Sequence, residues 1–271
     1  MKGKIRLFWW SEVFLMNKSK ENYGDLLGAH LVEKISKKKV EFTNPKKHNL
    51  KDLWSPIYVT IGSILMHINK KCIVWGSGII KNNQPIKPAR FLAVRGPETR
   101  RALIQQGYNV PEVYGDPALL LPKYFSPKVK KKYKLGIIPH YVDYQSTLGM
   151  YKNKEDICII DLMTNDIEKT TTEILECERI ISSSLHGLIV PHAYQIPAVW
   201  VRFSDKLFGD DIKFKDYFAS VEIPYYEVDK QNKPLTSHEI DGLFKDVTVL
   251  PKADIITMLQ EGLLNSCPFI D

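Results

Sequence analysis

The residues best suited to chemistry in this chain are a histidine behind a run of serines and an arginine at the end of an apolar stretch. Ser182-Ser183-Ser184-Leu185-His186-Gly187-Leu188 follows the apolar pair Ile180-Ile181. It precedes Ile189, Val190, Ala193 and Tyr194, which offer the buried face of a helix. A histidine in the first helical turn lies beside N–H groups that lack helical partners and carry the positive end of the helix dipole. Such a place holds an anion, and an imidazole beside it can give or take a proton. In Val94-Arg95-Gly96-Pro97 a guanidinium stands where a strand gives way to a helix, with Pro97 at its start and Gly107 just past its end. A guanidinium there can clamp a carboxylate or phosphate with two parallel hydrogen bonds.

Further polar clusters follow apolar stretches. Gly76-Ser77-Gly78 permits close backbone approach, Gly115-Asp116-Pro117 can cap its own turn, and Pro139-His140-Tyr141 and Arg202 end two more stretches. His192 reads as a packing residue. No P-loop, GxSxG elbow, DxD motif or metal-ligand set is visible, so neither a metal nor a cofactor is expected.

These residues meet only if the elements carrying them end at one place. Strand patterns cover Ile5–Trp10, Ile57–Ile61, Cys72–Trp75 and Phe91–Val94, with a short piece near Val113. Helical patterns lie between them at Leu26–Ser36, Ser63–Asn69 and Glu98–Gln106. After a basic, proline-containing segment at residues 123–133, strands are predicted at Leu135–Ile138, Ile157–Leu162, Ile180–Ile181 and Ala198–Val201. Helices are predicted at Asp166–Glu176, on the His186 segment, and in the tail at Ser237–Phe244 and Pro251–Leu264, either of which could return to the first half. Alternation of strands and helices implies parallel sheets with right-handed crossovers, and ligands then sit beyond the carboxyl ends of the strands. The expectation is an α/β chain of two doubly wound units, 1–125 carrying Arg95 and 126–271 carrying His186, facing a cleft.

At 271 residues, with 25% charged and 44% hydrophobic residues, the chain has an ordinary globular composition. About half of its net charge of +7 sits in Lys128, Lys130, Lys131, Lys132 and Lys134, read either as a solvated linker or as attraction to an anionic membrane surface or a polyanionic substrate. No nucleic-acid-binding motif accompanies that charge. Four scattered cysteines without a CxxC pair suit a reducing, cytoplasmic compartment, and no run is long and apolar enough for a membrane span. The apolar start, Ile5–Trp10, is interrupted by Ser11 and Glu12 too soon for a signal peptide and reads as a first strand.

An ordered set of segments resembles the polysaccharide pyruvyl transferase family. It comprises Asn22-Tyr23-Gly24-Asp25-Leu26-Leu27, Trp75-Gly76-Ser77-Gly78, Val94-Arg95-Gly96-Pro97-Glu98-Thr99, Tyr114-Gly115-Asp116-Pro117-Ala118, Gly136-Ile137-Ile138-Pro139-His140-Tyr141 and Ser183-Ser184-Leu185-His186-Gly187-Leu188-Ile189. The resemblance implies a GT-B-like fold of two Rossmann-type halves. It implies transfer of a pyruvyl group from phosphoenolpyruvate to a sugar, closing a ketal on two hydroxyls. The expected acceptor is a hexose of a capsular polysaccharide or exopolysaccharide repeat, galactose as a 4,6-ketal first, on a lipid-linked oligosaccharide at the inner face of the plasma membrane. Donor binding would fall to Arg95, Ser183, Ser184, Leu185, His186 and Gly187, with His140 and Arg202 assisting. Many relatives carry arginine where this chain has Ser184, and Arg202 is the candidate replacement. His186 would be the proton donor, Asp25 or Asp116 the base, and Asn22, Gly76, Ser77 and Gly78 would face the acceptor. The rivals are a GT-B glycosyltransferase with a nucleotide-sugar donor and a non-catalytic carbohydrate-binding module. The second would need exposed aromatic platforms, whereas Trp9, Trp10, Trp54, Trp75 and Trp200 lie in or beside predicted strands and read as core.

Overall fold

The computed structural model describes residues 3–47, 55–151, 154–231 and 233–270. In chain order the first elements are β1 (Ile5–Phe8), α1 (Glu12–Met16), β2 (Glu21–Asn22), α2 (Tyr23–Ser36), β3 (Val40–Phe42), β4 (Ile57–Val59), β5 (Cys72–Trp75), β6 (Arg90–Ala93), α3 (Pro97–Gln105) and α4 (Leu121–Tyr124). They continue with β7 (Leu135–Ile138), α5 (Tyr144–Met150), β8 (Ile157–Ile159), β9 (Met163–Thr164), α6 (Ile167–Leu175), β10 (Ile180–Ser182) and α7 (His186–Ala193). Last come β11 (Ala198–Trp200), α8 (Ile212–Ser220), α9 (Ser237–Asp246) and α10 (Ala253–Asn265).

Two parallel sheets result. The first runs β3-β1-β4-β5-β6 and the second β11-β10-β7-β8. In each sheet the chain winds first one way and then the other. The order therefore reverses between β1 and β4 in the first sheet and between β7 and β10 in the second. The loops that leave these strand ends diverge and leave a crevice, the usual place for a ligand in an open parallel sheet. The central strands are apolar on both faces because helices cover both, as in Leu135–Ile138, where all four residues are buried.

Several contacts tie the halves, among them a ribbon, a side-chain bond and a returning helix. The two-stranded antiparallel ribbon β2–β9 pairs Glu21 with Thr164 and Asn22 with Met163. Tyr23, from α2, shares a 2.8 Å hydrogen bond with Thr171 of α6. Helix α10 returns to the first half, where the Trp75 indole donates to the Leu263 carbonyl and Gln260 donates to the Leu119 carbonyl.

Several elements differ from the sequence reading. The predicted helix 63–69 is only a 3₁₀ turn at Leu65–His67, because Gly62 takes φ +105° and Ile64, Leu65 and Ile68 all turn inward. The piece near Val113 is a single bridge between Val94 and Tyr114. Strand β3 and helix α8 had no counterpart in the expectation. Trp9, Trp75 and Trp200 are core residues, whereas Trp10 is half-buried and Trp54 lies outside the described residues. Among the described residues no helix is long and apolar enough to cross a membrane.

Candidate functional site

A cleft of about 480 Å³ lies where the two reversals in strand order face each other. Trp10 and Glu12 come from the chain after β1, and Gly62 and Ser63 from the chain after β4. Opposite them stand His140 and Tyr141 from beyond β7 and Ser184, Leu185 and His186 from beyond β10. Asn22 and Asp25 enter from the start of α2, and Lys213 from the start of α8.

His186 is 8% exposed and is the first residue of α7. Its Nε2 lies 3.4 Å from Asp116 Oδ2, while Asp116 Oδ1 accepts the Ala118 N–H. The carboxylate thus stands against one edge of the imidazole and can orient the ring. Nδ1 lies against Gly24, where an added Cβ would come within 2.1 Å of it. Only glycine lets α2 approach the ring so closely.

Asp25 is in the first turn of α2, whose N-cap Asn22 accepts the Gly24 N–H at 3.0 Å. Burial raises its pKa from the ordinary 3.8 to about 7, opposed by the His186 charge and assisted by Glu12 and Glu21. A carboxyl group near neutrality can exchange a proton at working pH. Burial also lowers His140 to about 3, with Lys213 and Lys18 adding repulsion, so this imidazole is neutral and can only donate or accept a hydrogen bond.

The opposite wall is aromatic and rests on a buried glutamate. Glu21 accepts hydrogen bonds from Ser11 Oγ, the backbone N–H groups of Glu12 and Val13, and the Trp9 indole. This network holds the turn that presents Trp10, whose ring lies 5.2 Å from that of His67. Glu12 pairs with Lys18 at 2.7 Å, and the Lys18 ammonium lies 4.6 Å above the Tyr141 ring.

Of the residues singled out from sequence, Asn22, Asp25, His140, Ser184, Leu185 and His186 meet at the cleft. The others do not line it. Arg95 is fully buried, donating to Asp216 at 2.9 Å, to Ser63 Oγ and to the Ile79 carbonyl, so it reaches the cleft only through Ser63. Arg202 pairs with Asp211. Gly76, Ser77 and Gly78 are buried structural residues. Gly76 (φ +90°) packs on Pro117, Ser77 donates to the Gly62 carbonyl, and Gly78 packs on the Arg95 guanidinium. Asp116 stands behind His186 and not on an acceptor surface. The serines do not cap α7. Ser182 Oγ bonds the Ile138 carbonyl and the Ser184 N–H, Ser183 Oγ accepts the His140 N–H, and Gly187 packs on Ser182. They stitch β10 to β7 and so set His140 beside His186.

Sequence reasoning missed Lys213, Trp10, Glu12 and Ser63. The first lies in a helix whose apolar pattern was not recognised, and Trp10 reads as the end of a buried strand. Glu12 and Ser63 follow β1 and β4 directly, so strand order would have pointed to them.

The polysaccharide pyruvyl transferase family model matches residues 22–205, which include every sequence-identified residue at the cleft and exclude Lys213. The chain is also similar to an uncharacterized protein of Acanthamoeba polyphaga mimivirus, 32% identical over 241 residues that cover 86% of this chain and 82% of that protein. With more than half of its length matched, the chain belongs to the polysaccharide pyruvyl transferase family.

Proposed function

We propose that this protein moves the pyruvyl group of phosphoenolpyruvate onto two hydroxyls of a hexose, as a 4,6-ketal on galactose of a lipid-linked polysaccharide repeat. The observation that carries this reading is the acid–base set at one cleft, His186 backed by Asp116 and Asp25 facing the same space. In this reading residues 1–125 and 126–271 are two Rossmann-type units in a GT-B-like arrangement, the first offering the acceptor side and the second the donor side.

The steps follow from the donor's chemistry. His186 gives a proton to the methylene carbon, and the double-bond electrons form the new C–H bond. The adjacent carbon, left electron-poor, takes the oxygen of one sugar hydroxyl while Asp25 accepts that hydroxyl's proton. The C–O bond to phosphate then breaks, and the second hydroxyl closes the ring. Of the two hydroxyl protons, one replaces that spent on the methyl group and the other leaves on hydrogen phosphate. Donor and acceptor thus give ketal and phosphate with no net proton change. Asp116, 3.4 Å from Nε2, orients the imidazole for proton transfer, and the Trp10 and Tyr141 rings suit the C–H faces of a pyranose.

Arg95 supports the donor site from behind, through Ser63 and α8. Peripheral membrane contact at the cytoplasmic face would draw little from the basic segment. Lys131 donates to the carbonyls of Leu175 and Cys177, and Lys132 and Lys134 pair with Glu176 and Asp156. Lys128 and Lys130 remain for it.

The test is incubation of the purified chain with phosphoenolpyruvate and galactosides, free and lipid-linked, following phosphate release and a ketal methyl signal by NMR. Activity with nucleotide sugars and none with phosphoenolpyruvate would overturn the proposal.

A further inference from the structure

The cleft carries one half-buried cation that neither the family match nor the sequence motifs include. Lys213 is the second residue of α8 and lines the cleft with Asp25, His140 and His186. Among the described residues the other cations nearby are differently placed. Arg95 faces Asp216, Arg202 faces Asp211, Lys18 faces Glu12, and Lys206 stands exposed at the rim. No ion pair closes on Lys213 among the described residues.

Its position is fixed by the same helix that buries Asp216. Residues three apart lie on neighbouring faces of a helix, so the Arg95–Asp216 pair, with Thr99 donating to both Asp216 oxygens, sets where Lys213 points. Gly96 allows this approach, since a Cβ there would meet the Asp216 carbonyl at 2.1 Å.

We propose that Lys213 is the anion receptor of the donor site, its ammonium binding one anionic end of phosphoenolpyruvate beside His186. The inference rests on the pyruvyl-transfer reading above. Its ammonium lies 5.2 Å from the Phe214 ring centroid without a carboxylate partner among the described residues, and a half-buried charge so placed is held at a cost that a bound anion removes. In keeping with this, burial and the nearby Arg95 lower Lys213 from the ordinary 10.5 to about 8, against the pull of Asp211 and Asp25. His140 from beyond β7 and His186 from beyond β10 line the same cleft. Donor affinity should therefore fall as pH rises above about 8, where an ordinary lysine would still be charged.

The experiment compares wild type with Lys213→Met and Lys213→Arg. Removing a charge-assisted contact should raise KM for phosphoenolpyruvate about 10- to 100-fold with acceptor KM unchanged. The arginine variant should recover part of the loss and hold its affinity well above pH 8, where the wild type loses it. Competitive inhibition by inorganic phosphate and by pyruvate identifies the end that Lys213 holds, as whichever inhibitor weakens in Lys213→Met. Should Lys213→Met show no turnover, calorimetric titration of the folded variant with phosphoenolpyruvate decides. Lost binding supports the proposal and retained binding overturns it. A KM within twofold of wild type also overturns it. A wild type that neither binds nor turns over phosphoenolpyruvate removes the parent reading, and this inference with it.

Discussion

His186 has little freedom between Asp116 on its Nε2 side and the Gly24 backbone on its Nδ1 side. Gly24→Ala places a methyl group within 2.1 Å of Nδ1 and must displace the ring. Alanine otherwise suits a helical position, so turnover should suffer far more than folding. We expect kcat to fall on the order of 100-fold with a small change in melting temperature, checked by phosphate release and thermal denaturation of the same preparation. Asp25 gives the opposite kind of prediction. Its folded pKa of about 7 exceeds the ordinary 3.8, so the folded chain binds more protons than the unfolded one across that window. Stability contributed by this residue therefore falls as pH rises from about 4 to 7 and stays low above. Asp25→Asn should melt higher than wild type at pH 8, show no such gain near pH 3.5, and lose transfer activity at both.

Helix α8 determines what Arg95 does. The guanidinium and the Asp216 carboxylate are both fully buried, and the pair binds the turn after β6 to the helix that carries Lys213. Breaking one side of such a pair leaves the other as an uncompensated buried charge, which costs roughly 3–5 kcal/mol. Arg95→Met should lose stability of that order in urea unfolding, and Arg95→Met with Asp216→Leu should recover much of it. A residue whose only task was to grip the donor would leave unfolding unchanged. The same pair shows which part of the site was legible in the sequence. That clusters follow strands could be read from Trp75-Gly76, Val94-Arg95 and Ile138-Pro139-His140, because strand ends are marked by glycine, proline and a break in apolar pattern. Which strands sit at the reversal of order is set by long-range pairing and leaves no local mark. The chain after β1, β4, β7 and β10 therefore supplies most of the cleft lining, whereas the loop after β5 adds Ile80, the loop after β11 adds Lys206 and Phe208, and the turn after β6 adds none. Helix α8 escaped notice because its buried Ile212, Phe214, Tyr217 and Phe218 sit among charged residues beyond the family motifs.

Asp25 belongs to the first half and His186 to the second, so the site exists only while the two halves hold their relation. The β2–β9 ribbon, the Tyr23–Thr171 bond and α10 carry that relation. Leu263 is fully buried beneath Trp75 and Leu120, and it packs so closely on Gly115 that a Cβ there would lie 2.9 Å from Leu263 Cδ1. Gly115 in turn immediately precedes Asp116, the partner of His186. Truncating such a side chain costs about 2–5 kcal/mol through lost burial and the cavity left behind. Halves tied this closely should unfold together, so tryptophan fluorescence and far-ultraviolet circular dichroism should give coincident transitions. Leu263→Ala should shift that single transition downward without splitting it. It should also reduce transfer at temperatures where the chain is still folded, because the Gly115–Asp116 turn loses its support and the imidazole its fixed neighbour. Two separated transitions in the variant would place α10 on one half alone and leave the ribbon, Tyr23 and the Arg95–Asp216 pair to hold the halves together.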